Sequence, residues 1–178
     1  MQKVFLDVDG VLADFVGNIL KECGKDSSQL KRGEYDLNES LGLDMHSILK
    51  NLDWYNIPLT EDYQIFLDFV KKHFKKHQIY ICTKVFDYES AKGKMKWIRK
   101  NIPGYPFLLT DNKCRLAGKG LLLIDDCDEE VNKFRGMGGK AILVPRIWNT
   151  MFANKIPMKT YLEESLLSIC GKRREEFF

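Results

Sequence analysis

The stretch Lys3-Val4-Phe5-Leu6-Asp7-Val8-Asp9-Gly10-Val11-Leu12-Ala13-Asp14-Phe15 decides how the rest of the chain reads. Val4, Phe5 and Leu6 make a short apolar run, the pattern of a buried strand. Asp7 and Asp9 stand at its carboxyl end, and Gly10 breaks the pattern directly behind them. In an open α/β sheet that edge is where ligands bind. Two carboxylates so close together repel unless a positive charge joins them. A hard cation with oxygen ligands, such as magnesium, would do so. One carboxylate is then free to attack as a nucleophile and the other to move a proton. A plain Asp-Gly β-turn is the competing reading of the same residues, and the other strands decide between the two.

Working outward, the apolar residues Leu12, Phe15, Val16, Ile19, Leu20 and Cys23 recur at helical spacing up to Gly24. No strand pattern follows until residue 77. Asn38 is the expected cap of one short helix and Asp44 of another, over Met45 to Leu52. Thr60 to His77 reads as a long helix with Ile65, Phe66, Phe69, Val70 and Phe74 on one face and Lys71, Lys72, Lys75 and Lys76 on the other. The lysines read as a solvated face, and His73 and His77 as structural, because no third ligand accompanies them. Strands then alternate with helices: Gln78–Cys82, a helix over Asp87–Asn101, Phe107–Leu109, Gly120–Ile124, a helix over Glu129–Arg135, Lys140–Val144 and a helix over Thr160–Cys170. The tail from Lys172 to Phe178 reads as frayed. Alternation of this kind predicts an α/β fold: a Rossmann-like parallel sheet with helices on both faces. Residues 1–16 and 61–178 form the core, and residues 17–60 a small helical cap inserted after the first strand, hanging over the edge that carries Asp7 and Asp9.

Composition narrows the function. A net charge of +3 over 178 residues is too small to argue for nucleic acid. No apolar run approaches the ~20 residues of a membrane helix. The chain starts directly in a strand, which reads as the absence of a secretory signal. Five cysteines without a Cys-x-x-Cys pair read as reduced thiols in a cytoplasmic protein.

Four strand ends bring polar groups to one edge. They supply Asp7 with Asp9, then Thr83, then Lys113, then Asp125 with Asp126. Each is weak alone; four in order, each at or just beyond a strand, outweigh the turn reading. Together they resemble the four motifs of the haloacid dehalogenase superfamily, which implies phosphoryl transfer, where a negatively charged ester repels an attacking carboxylate. The resemblance further implies magnesium held by Asp7, the Asp9 backbone carbonyl and Asp126, which would offset that repulsion. Lys113 and the Thr83 hydroxyl would bind the phosphoryl oxygens.

The run Asp7-Val8-Asp9-Gly10-Val11 resembles the first motif of the haloacid dehalogenase superfamily, and Thr83, Lys113 and Asp125-Asp126 its other three. The finer resemblance is to its 5'(3')-deoxyribonucleotidase branch, over residues 4 to about 149. It rests on Asp7 to Phe15, Trp54-Tyr55-Asn56-Ile57-Pro58-Leu59, Ile81-Cys82-Thr83, Leu109-Thr110-Asp111-Asn112-Lys113, Leu122-Leu123-Ile124-Asp125-Asp126, the Lys94 and Trp97 pair, and Val144-Pro145-Arg146-Ile147-Trp148-Asn149. The resemblance implies a magnesium-dependent 5'-nucleotidase type of phosphatase. Asp7 would be its nucleophile, Asp9 its acid and base, and Gly10 and Asp125 supporting residues. Thr83, Lys84 and Lys113 would bind phosphate. It further implies an insert that stacks the base on aromatics, with Phe15, Trp54, Tyr55 and Lys94 as the substrate-binding candidates. For Trp54 and Tyr55, stacking on a base and packing as core stand equally open.

Two positions depart from the branch. Lys84 stands where a small polar residue is usual and Asp111 where a basic one is frequent; the two are expected to pair with each other. The partner is therefore a small phosphate ester, a nucleotide first, with another small ester or a nucleic-acid terminal phosphate as the alternative. A polymeric substrate is disfavoured, since a long strand needs an open groove. A non-catalytic module would be recognised by loss of Asp7 or Lys113, and both are present. Oligomeric state is left between monomer and homodimer.

Overall fold

In the computed structural model, which describes residues 1–34 and 36–171, the apolar runs become five parallel strands. They are β1 (Lys3–Leu6), β2 (Ile79–Lys84), β3 (Phe107–Thr110), β4 (Leu121–Asp125) and β5 (Lys140–Leu143). Their order in space is β3-β2-β1-β4-β5, which defines a Rossmann-like α/β fold. β1 and β4 lie side by side, with Leu6 opposite Ile124, although more than a hundred residues separate them. The chain runs outward from β1 in one direction, then returns and runs outward in the other. At such a switch point the loops leave the edge in opposite directions and open a crevice beyond the carboxyl ends of the strands.

The pleat sorts the two faces. Val4, Leu6, Ile79, Ile81, Leu122 and Ile124 are buried under α4 (Tyr63–His73), α5 (Tyr88–Asn101) and α7 (Met158–Ile169). Phe5, Cys82 and Leu123 point the other way and pack on Val131 and Phe134 of α6 (Asp128–Gly136). Burial on both faces explains why the strands are continuously apolar instead of alternating.

The segment between β1 and α4 carries α1 (Phe15–Glu22), α2 (Leu37–Leu41) and α3 (Met45–Asn51). Its two ends are stitched together: Asp14 N–H donates to the Pro58 carbonyl at 2.8 Å, and Thr60 N–H to the Leu12 carbonyl at 3.0 Å. Its Leu30, Leu37, Leu41, Leu52, Trp54 and Ile57 join the same apolar core as the sheet.

Several boundaries differ from the sequence reading. Asp36, not Asn38, caps α2, accepting from the N–H groups of Asn38 and Glu39. Asn38 instead spends its side-chain oxygen on the Met45 N–H at the start of α3. The helix expected over Thr60–His77 is only Tyr63–His73; Phe74 turns extended to bury its ring, and a 3₁₀ turn follows. Among the described residues no helix is long and apolar enough to cross a membrane. The expected frayed tail, residues 172–178, lies outside the described residues.

Candidate active site

The sheet carries the chain one residue past β1, because Asp7 N–H donates to the Ile124 carbonyl at 3.0 Å. Asp7 is thereby fixed beside the end of β4. The Val8 carbonyl then accepts from Leu12 and Ala13 at 2.8 and 2.7 Å, folding residues 8–13 into a tight loop. Gly10 adopts φ +71°, and a Cβ there would lie 2.0 Å from Asp126 Oδ2. Glycine is therefore required twice, for its conformation and for its lack of a side chain.

Asp7, Asp125 and Asp126 are buried, and each offers an oxygen within 4.8 Å of the others. Lys113 reaches in from the 3₁₀ turn after β3, 2.7 Å from Asp7 Oδ1 and 2.7 Å from Asp125 Oδ2. The second Asp125 oxygen accepts from the Cys127 N–H at 2.9 Å. Asp126 Oδ2 accepts from the Trp148 indole N–H at 2.7 Å. Asn149 clamps the loop behind it, donating to the Asp126 and Val144 carbonyls.

Burial drives the Asp7 carboxyl well above the usual range; Lys113 opposes this, and the charges of Asp125, Asp9 and Asp126 add to it. Burial, then the charge of Asp125, pushes Asp126 up to about 7. Burial alone would lower Lys113, but Asp125 and Asp7 outweigh it and hold the ammonium well above its ordinary value. With all three ionised, the carboxylates face one ammonium and leave an excess of two negative charges. An all-oxygen donor set with that excess fits one hard divalent cation such as magnesium. Asp125 is already committed to Lys113 and the Cys127 N–H, so Asp7 and Asp126 have the oxygens to spare.

Asp9 lies outside that cluster. Its Oδ2 accepts from the Lys94 ammonium, and its Oδ1 is buried and accepts no hydrogen bond among the described residues. Its carboxylate is thus not one of the three clustered around the Lys113 ammonium. Thr83 is fully buried, with its hydroxyl 3.5 Å from Asp9 Oδ2.

Four other expected site residues stand elsewhere. Lys84 does not pair with Asp111; its ammonium is 2.9 Å from Glu130 Oε1. The strand explains this: Lys84 shares the face of Cys82, and that face packs on α6, whose first turn carries Glu130. Lys94 is 1% exposed and already occupied by Asp9, so it is not at a substrate surface. Trp54 is 4% exposed and packed as core, stacked on Phe15 with ring centroids 5.6 Å apart and set against Gly93. Tyr55 turns outward to the Lys100 ammonium, 4.6 Å from its ring centre.

A cavity of about 380 Å³ opens between the insert and the sheet edge. Phe15, Leu37, Met45, Leu49, Phe86 and Trp148 wall it, and Asp36 and Asn38 supply its polar groups. Trp148 joins the two sites, since its ring lines the cavity while its N–H holds Asp126. Phe86, Glu130, Trp148 and Asn149 have no assigned role in the sequence. The one available signal was the Pro145–Asn149 segment, placed directly after a strand.

No protein-family model matches this chain, and no curated protein matches it.

Proposed function

We propose that the chain is a magnesium-dependent phosphatase of the haloacid dehalogenase type, acting on nucleoside monophosphates through an aspartyl-phosphate on Asp7. The observation that carries this reading is the placement of Asp7 and Asp126 at the ends of adjacent strands β1 and β4, with the Lys113 ammonium 2.7 Å from Asp7. Asp7, Asp126 and the Asp9 backbone carbonyl would hold the cation. When bound, it neutralises the excess charge and polarises a phosphoryl oxygen.

The residues of the chain do the rest. A free oxygen of Asp7 attacks phosphorus, forming the acyl-phosphate bond as the ester P–O bond breaks. Asp9 passes a proton to the departing alcohol oxygen. Lys113 stays on the phosphoryl oxygens as charge spreads over them. Water then attacks phosphorus, its proton goes to Asp9, and the Asp7 carboxylate is restored as phosphate leaves. The walled cavity beside Trp148 supports a leaving group with a flat apolar part, as a nucleoside has. The five free thiols suit a reducing compartment such as the cytoplasm.

A panel of monophosphates assayed with magnesium tests the reading. Hydrolysis should be strongest for nucleotides, absent with EDTA and absent in Asp7→Asn. Wild-type turnover in Asp7→Asn, or full activity restored by zinc alone, would overturn it.

A further inference from the structure

Burying a lysine is costly unless its charge is paired, so the surroundings of Lys94 call for a reason. Its ammonium donates to three acceptors on one side: Asp9 Oδ2, the Lys84 carbonyl at 2.6 Å and Thr83 Oγ1 at 3.3 Å. Its other side is walled by aromatic rings, with the Trp54 centre 4.7 Å away and the Phe86 centre 5.5 Å away. The three acceptors belong to the ends of β1 and β2, so the ammonium ties the Asp9 loop to the neighbouring strand. One Asp9 oxygen is anchored by this arrangement. The other, Oδ1, is buried and has no hydrogen-bond partner among the described residues.

A carboxylate held in this way cannot rotate freely, and its free oxygen keeps one direction. The Lys94 ammonium has no room for a substrate group, and Lys113 already stands against Asp7. We propose that Lys94 is the positioning residue for Asp9, holding one carboxylate oxygen so that the other delivers the proton to the leaving alcohol. The Trp54 and Phe86 rings close the remaining side of the lysine. The inference rests on the reading of Asp9 as proton donor.

Leaving-group dependence tests it. Phenyl phosphate and 4-nitrophenyl phosphate carry the same ring, but only phenolate needs a proton to depart easily. The ratio kcat/KM reports the steps up to that departure, whichever later step limits turnover. In Lys94→Met, kcat/KM for phenyl phosphate should fall about a hundredfold, the lower end of what general acid catalysis contributes. For 4-nitrophenyl phosphate it should fall less than about fivefold, so the preference between the two widens by about twentyfold or more. Lys94→Arg keeps the buried charge, but its planar fork cannot meet the same three acceptors at once. It should widen the preference in the same direction, and it serves if the methionine variant fails to fold. An equal loss on both substrates in a folded variant would reduce Lys94 to a structural residue and overturn the inference, while leaving the phosphatase reading intact. If the wild-type protein hydrolyses neither ester nor any monophosphate, the phosphatase reading falls and the inference falls with it.

Discussion

Gly10 and Asp126 lie against each other: the Asp126 carboxylate fills the space where residue 10 would carry a Cβ, with Oδ2 only 2.0 Å from that position. The loop after β1 and the end of β4 are thus fitted together without a side chain between them. Arg146 locks the same loop from outside, donating from Nε to the Gly10 carbonyl at 2.6 Å and from Nη1 to Asp62 at 2.9 Å.

Gly10→Ala should therefore act on stability and on the site together. Holding a non-glycine residue at positive φ costs about 1–3 kcal/mol before any clash is counted. The added methyl must also displace the Asp126 carboxylate, so magnesium affinity should drop. Urea denaturation and calorimetric magnesium titration of the same variant measure the two effects. Unchanged magnesium affinity would show that Asp126 is not a ligand.

Asp7→Asn should cut turnover on the order of 10³-fold or more, as expected for loss of a covalent nucleophile. It should not unfold the protein. Because burial and three neighbouring carboxylates disfavour the Asp7 charge, the metal-free variant should be at least as stable as wild type. Thermal melts in EDTA, set beside single-turnover assays, check both halves.

The raised carboxyls set a pH dependence for the metal-free protein. Asp7 and Asp126 are both held above the unfolded carboxyl value near 3.9. Between the unfolded and folded values the native state keeps protons that the unfolded chain has lost, so stability falls as pH rises. For Asp126 that contribution is complete below about pH 4 and is lost as pH climbs through about 7. For Asp126 alone the linkage relation makes this loss on the order of 4 kcal/mol. In EDTA the melting temperature should fall from pH 5 to pH 8. Magnesium should restore it at pH 8, and Asp126→Asn should flatten the slope. A melting temperature that rises over this range without metal would contradict the charge excess described for the site.

The aromatics separate into substrate wall and core. Phe86 is 58% exposed and lines the cavity, so Phe86→Ala should cost little stability. With base stacking worth about 1–3 kcal/mol, KM for a nucleotide should rise roughly ten- to a hundredfold. Trp54→Ala should behave as a core truncation, costing about 3–5 kcal/mol and impairing small and large esters alike. Steady-state kinetics on a nucleotide and on a small aryl phosphate, with unfolding curves for each variant, distinguish the two. A nucleotide-selective defect in Trp54→Ala would return that residue to the substrate site.

The order of elements and the carboxyl-end positions of Asp7, Asp9, Thr83, Lys113, Asp125 and Asp126 were legible in the sequence. Strand runs such as Leu121–Ile124 are apolar without a break because both faces of the sheet are covered, and that signal is local and survives in one dimension. Partner choice was not legible. Lys84 meets Glu130, not Asp111, because the pleat turns its side chain towards α6. Lys94, four residues after Ser90 on α5, finds Asp9 across the end of β2 because α5 packs over that strand end. Trp54 and Trp148 are both tryptophans beside apolar residues, yet one fills core against Gly93 and the other holds Asp126. Long side chains reach across elements that only crossover direction and packing bring together, so the tertiary structure alone decided which charge each lysine meets and which indole faces the cavity.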